Sequence, residues 1–266
     1  MVTIRILNSF RWRFLSPVTP KILSTNCELI TLGSKYGRKT YAKEYLSILN
    51  PTLISAGVGE DMSFDLEFQV LNDARIILVD PTPSAIRHFE DVKKRGRAKR
   101  EDTYAKNSRQ RPENYSLENV NFSKIFYVPK AVWETLTSIS FFQPLDQKRD
   151  GSFSINSIHS LYQKSNPYIE VETTTISTLV DSYKIQSVDV LKLDIEGAVL
   201  ETLIACFQAR IFPKQLLLEV DELHFPCVKS KLRAWRFFKL LKKAGYDPIH
   251  RDNTDFTFVR LRNLSD

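Results

Sequence analysis

The stretch "LKLDIEGAVLETL" at residues 191–203 begins as an apolar run and ends with the spacing of a helix. Upstream it extends to "VDVLKLD" at residues 188–194, a short run that reads as a buried strand. Downstream, "AVLETLIACF" at residues 198–207 reads as a helix. Asp194, Glu196 and Gly197 stand at the junction. One reading is a turn with an N-cap. The other is a site, because two carboxylates and a glycine exceed what capping needs, and strand ends hold ligands in open α/β sheets. Lys192 interrupts the apolar strand, and its simplest reading is a buried stem whose ammonium reaches solvent.

The same alternation recurs on either side. Residues 52–58 ("TLISAGV"), 74–80 ("ARIILVD"), 125–132 ("IFYVPKAV") and 215–221 ("QLLLEVD") read as further strands. Residues 60–72 place Met62, Leu66 and Val70 on one helical face, and residues 83–95 start a helix at Pro83. Residues 229–245 form an amphipathic helix closed by Gly245, and the alternating "DFTFVRL" at 255–261 supplies the last strand. Continuous apolar strands alternating with helices predict an α/β fold with a doubly wound, mostly parallel sheet of the Rossmann-like kind. Ligands of such sheets bind outside the carboxyl ends of the strands.

The first strand runs into Gly57 and Gly59, where the backbone can turn tightly and approach a ligand. A dinucleotide fingerprint wants a third glycine where Met62 stands, and Glu60 and Asp61 suit a cationic or neutral ligand better than a diphosphate. A tight turn alone is the alternative. The second strand ends in Asp80, 23 residues after Gly57, followed by Pro81 and Pro83. A carboxylate at that distance accepts hydrogen bonds from a ribose diol, or else caps the next helix. Adenosine without phosphates, plus a cationic sulfonium, describes S-adenosylmethionine. Gly57, Gly59, Asp61, Asp80 and Pro81 are its candidate contacts, with Asp61 near the ammonium of the amino-acid tail. The transferred methyl group then faces Asp194.

The chain has 266 residues, 42% of them hydrophobic, with net charge +7. No apolar run approaches a membrane span. Cys27, Cys206 and Cys227 lie far apart, which fits a reduced compartment and a cytoplasmic location. His88, His159, His224 and His250 lack metal-ligand spacing, so no structural zinc site is expected; a divalent metal on the strand-end carboxylates is left open but not demanded. Residues 1–27 contain no acid and lack the apolar core of a secretory signal; they read as a basic arm, with an organellar transit peptide as the alternative. Residues 1–50 thus form an arm and a hairpin-like extension, Gly33 and Gly37 flanking the turn, before a main domain at 51–266. A basic insertion near residues 93–119 includes nine Lys and Arg between Lys93 and Arg111, against Glu101 and Asp102. The run from Lys93 to Arg111 reads as a solvated loop, with an anionic partner such as nucleic acid left open though disfavoured by its single aromatic, Tyr104. Residues 134–169, with a Gly/Ser/Asn-rich run at 151–156, read as a loop over the site.

At these residues the chain resembles the FkbM family of S-adenosylmethionine-dependent methyltransferases. Lys192, Asp194, Glu196 and Gly197 match its K-x-D-x-E-G signature. Gly57, Gly59, Asp61, Ser63, Phe64 and Asp65 match a G-x-G-x-D-x-S-F-D cofactor turn, "VDPTP" at 79–83 matches the segment after its second strand, and "LLLEV" at 216–220 fits its fifth strand. The resemblance spans residues 53–223. It implies a class I methyltransferase fold and O-methylation of a small-molecule or glycan acceptor, often a sugar of a glycan, glycolipid or natural product. Asp194 or His224 is the candidate base, Glu196 positions the acceptor or orients the base, and Lys192 pairs with one of these acids. The rivals are a binding protein that has lost catalysis and a nucleic-acid methyltransferase. The latter wants an N-P-P-Y-type tetrad where "LDIEG" stands.

Overall fold

In the computed structural model, which describes residues 15–142, 167–224 and 227–261, the chain opens with an antiparallel hairpin, β1 (Leu29–Leu32) and β2 (Lys39–Ala42). It enters the main sheet with β3 (Thr52–Ala56), β4 (Arg75–Val79) and β5 (Ile125–Val128). A small second sheet follows from β6 (Ala131–Val132), β7 (Ser138–Phe142) and β8 (Tyr168–Thr174). The chain then returns with β9 (Val190–Leu193), β10 (Gln215–Glu219), β11 (Tyr246–Asp252) and β12 (Asp255–Arg260). The seven strands lie in the order β11-β12-β10-β9-β3-β4-β5. From β10 to β5 all neighbours are parallel, while β12 runs antiparallel between β10 and β11.

Among the described residues, the strands are accompanied by α1 (Ser63–Asn72), α2 (Pro83–Lys94), α3 (Ile176–Ser182), α4 (Val199–Gln208) and α5 (Val228–Lys243). Alternate strand residues enter two separate cores. Ile54, Ile77, Leu191 and Leu216 pack with Leu203 of α4 and Phe237 of α5. Leu53, Ile76, Val190 and Leu217 pack with Phe64 and Phe68 of α1 and Phe89 of α2. Burial on both sides explains why these strands read as continuous apolar runs. The chain steps from β3 outward through β4 to β5, then returns to lay β9 against the other side of β3. The carboxyl ends of β3 and β9 therefore mark the point where the winding reverses, and ligands gather at such points.

Several expectations need correction. The run at 125–132 is two strands, because Pro129 has no N–H to donate to a ladder. β11 was not legible, since Pro248 and three charged residues break its period-two pattern and a register shift falls between Pro248 and His250. The segment at 134–169 contains β7 and the start of β8; its remainder, with the Gly/Ser/Asn-rich run, lies outside the described residues, as does most of the basic arm.

Residues 93–111 are largely exposed, as expected of a solvated loop, with Gln110 buried; the following residues of the insertion pack against the core. Tyr115 and Leu117 are fully buried with Phe89 and Val92. Arg95 donates to the Pro112 carbonyl at 2.6 Å and Arg100 to that of Asn114 at 2.7 Å. Its apolar residues are too irregularly spaced to show against the charge. Among the described residues, no helix is long and apolar enough to cross a membrane.

Candidate active site

Gly57 has φ +78°, and a Cβ there would fall 1.8 Å from the Asp194 carbonyl oxygen. The β3 and β9 exits touch backbone to backbone, which only glycine permits. The turn is then fastened to β4: Gly59 N–H donates to Asp80 Oδ2 at 2.9 Å. Asp80 Oδ1 accepts from the Thr82 N–H at 2.9 Å and the Thr82 hydroxyl at 2.6 Å. The N-cap of α2 is Thr82, so Asp80 is not a helix cap. A carboxylate has about four acceptor positions, which leaves Asp80 capacity for one further donor. Asp61 also accepts three hydrogen bonds, from the Ser34 hydroxyl at 2.5 Å, Ser63 N–H at 3.1 Å and Gln110 Nε2 at 3.3 Å, tying hairpin, helix and insertion together.

Lys192 contradicts the expectation that its ammonium reaches solvent. It is 3% exposed, with Nζ 3.2 Å from Ser55 Oγ and 3.8 Å from the buried Asp65 carboxylate. Lys192 and Asp65 belong to two motifs far apart in sequence, and they meet because Lys192 and Ser55 are cross-strand partners facing α1.

Asp194 has a different cation, Lys39 of β2, at 3.0 Å. Lys39 is itself buried and also bonds Asp255 of β12. Burial works against ionisation of Asp194, yet Lys39, a hydrogen bond with Glu219 and the Lys192 charge hold its carboxyl well below the usual carboxylate range. Glu196 behaves oppositely: burial and then the Asp194 charge push it up to about 7. The Asp194 charge, followed by burial, raises Glu219 well above its ordinary value. Burial, followed by Glu196, does the same to Asp221. Adjacent carboxyls are thus pushed in opposite directions, Asp194 downward and Glu196, Glu219 and Asp221 upward.

The turn between β9 and α4 closes on Gly197, at φ +73°, whose N–H donates to Asp221 Oδ2 at 2.6 Å. The N-cap of α4 is Ala198, with no side-chain cap, so the carboxylates of the signature are not there to cap the helix. His224 Nε2 lies 3.0 Å from Glu219 Oε1, and burial lowers its pKa, leaving the ring neutral at pH 7. Donor atoms of Glu219, Asp221 and His224 lie within 4.8 Å of one another, a spacing that could hold a divalent cation. Histidine spacing in the sequence could not show this, since two of the three donors are carboxylates.

A cavity of about 360 Å³ joins these parts, within the range of small-molecule sites. Gly57, Gly59, Asp61, Asp80, Pro81, Lys192, Asp194, Glu196 and His224 all line it. A Cβ built on Gly59 would meet nothing within 4 Å, so the turn presents bare backbone to open space. Open space beside the glycine turn, and an acceptor position left on Asp80, fit a nucleoside. Tyr36 and Lys39 of the hairpin region, Ser108 of the insertion, Phe141 of β7, Glu219 and Asp255 complete the wall. Glu219 carries a sequence signal, a carboxylate inside an apolar strand. Lys39 and Asp255 are 216 residues apart and carry none.

No curated protein and no solved structure matches the chain. The family profile described as Methyltransferase FkbM domain matches residues 42–248, most of the chain, and the chain belongs to the FkbM methyltransferase family.

Proposed function

We propose that the protein transfers a methyl group from S-adenosylmethionine to a sugar hydroxyl of a glycan, glycolipid or natural product, on a doubly wound Rossmann-like class I fold. One observation carries this reading: the glycine turn with Asp80 and the carboxyl cluster of Asp194 and Glu196 line one cavity at the point where the winding reverses. When bound, the cofactor supplies an electrophilic methyl group. Asp80 and the backbone at Gly57–Gly59 hold its ribose side, while Asp61 and Pro81 border it.

A sugar hydroxyl is a weak nucleophile and gains from a base as it attacks. Asp194, expected as a base from the sequence, has too low a proton affinity while Lys39 faces it. Glu196, at about 7, is matched to proton transfer at neutral pH. Glu196 accordingly takes the hydroxyl proton on a carboxylate oxygen, and Asp194 raises its basicity. Glu219, Asp221 and His224 offer donors and acceptors suited to a polyol. Tyr36, Lys39 and Asp255 lie outside residues 42–248, so the chain adds its own groups to the family's portion of the site.

The anionic-polymer and nucleic-acid readings lose support in the insertion. Arg95, Lys99, Arg109 and Arg111 pair with Glu101, Glu118, Glu60 and Asp102. Incubation with cofactor bearing a deuterated methyl group, across oligosaccharides, glycolipids, DNA and RNA, tests the proposal by mass spectrometry. Label on a sugar oxygen is the expected result. Label on a nucleic-acid nitrogen, with none on any sugar, would overturn it.

A further inference from the structure

Helix α5 contains seven Lys and Arg residues and no acid. Its inner face is Ser230, Ala234, Phe237 and Leu241, which are buried. Its outer face is unusual for a charged helix: Val228, Leu232 and Trp235 are 61%, 56% and 57% exposed. At i, i+4 and i+7 these three form one stripe. With about 100° between successive residues, Lys231 and Lys242 fall on one side of it, Lys229, Arg236 and Lys243 on the other, and Lys239 crosses it between Val228 and Leu232. The Lys239 ammonium sits 4.6 Å over the Trp235 ring. Arg233 turns inward, to Glu201 and Glu222, and Lys242 pairs with Asp247 at 2.7 Å.

An apolar centre between two cationic flanks is the pattern of a helix that lies in the plane of a bilayer interface. A phosphodiester backbone would use the lysines and leave the apolar stripe in water. We propose that α5 docks the protein on an anionic lipid surface, with Val228, Leu232 and Trp235 entering the acyl boundary and the flanking lysines meeting headgroups. The net charge of +7 favours the same partner. Val228 follows the cavity residue His224 by four positions, so docking holds that end of the helix near the cavity. If the proposed methyl transfer holds, an acceptor carried in the same surface suits this placement; the docking itself does not rest on that reaction.

Flotation with vesicles of phosphatidylcholine alone, or with one third phosphatidylserine, tests the proposal on the full chain. Binding to the anionic vesicles only, with a blue shift of tryptophan emission, is expected. The double variant Leu232→Gln/Trp235→Gln should keep its melting temperature, since both side chains are exposed, and bind at least about tenfold more weakly, from the apolar area lost. Lys229→Gln and Lys243→Gln should each weaken binding by about fivefold. Equal binding to both vesicle types would overturn the proposal. So would anionic-vesicle binding that survives in the Leu232/Trp235 variant, or tighter binding to duplex DNA or polyglutamate than to vesicles.

Discussion

Glu196→Gln is expected to reduce turnover by about 10²–10⁴-fold, the usual contribution of a positioned proton acceptor. Gln keeps the shape and cannot take the proton, so cofactor affinity should change little. The wild-type rate should rise with pH as Glu196 ionises through about 7. Burial is the larger cause of that raised value and the Asp194 charge is the second. Asp194→Asn removes only the second, so its acidic limb should move to lower pH without reaching the ordinary carboxylate range. A role confined to structure would shift melting and leave this limb in place.

The same group makes a stability prediction of opposite sign. Glu196 has a folded pKa of about 7 against an ordinary 4.5, so the folded state binds more protons in that window. Its contribution to stability is present below the ordinary value and is lost as pH rises through about 7. Glu196→Gln carries no charge to desolvate, and the variant should melt higher than wild type above that pH while turning over more slowly. Turnover within twofold of wild type, with an unmoved pH limb, would assign the proton transfer elsewhere.

Tyr115→Ala should cost about 3–5 kcal/mol, the range for truncating a fully buried aromatic residue. The ring packs edge-on against Tyr104, and its hydroxyl lies 2.7 Å from His88 Nε2 and accepts from Met62 N–H at 3.3 Å. Deleting residues 95–113 should be more damaging still. The deletion removes Gln110, whose backbone N–H donates to the Glu60 carbonyl at 3.0 Å and whose side chain reaches Asp61. Chemical denaturation would measure both. A deletion variant that keeps the wild-type midpoint would show that this segment is a solvated loop and no more.

The sequence exposes whatever is local. Each functional strand exit carries its own short signal: glycines at 57 and 59, a carboxylate at 80, and the acids and glycine at 194–197. All of these but Gly197 line one cavity, because parallel strands present their carboxyl ends on one edge. What decides the chemistry is not local. Lys39 comes from a hairpin and finds Asp194 and Asp255 only in the folded chain. That single cation favours the ionised form of Asp194, and the proposed assignment of Glu196 as base rests on it. Lys192 shows the same limit. Its strand position was legible, but its partner Asp65, on α1, was not. In the insertion the buried side chains lie mostly after Arg111, beyond the run of nine charges, and too few to form a period.

Titration calorimetry with S-adenosylhomocysteine, on the wild type and Asp80→Ala, tests whether the turn at Gly57–Gly59 and Asp80 form a nucleoside site. The wild type is expected to bind, and Asp80→Ala to bind more weakly by about 1.5–3 kcal/mol, the range for a hydrogen bond to a charged group. No binding by the wild type, or equal affinity in the two proteins, would contradict the site as described.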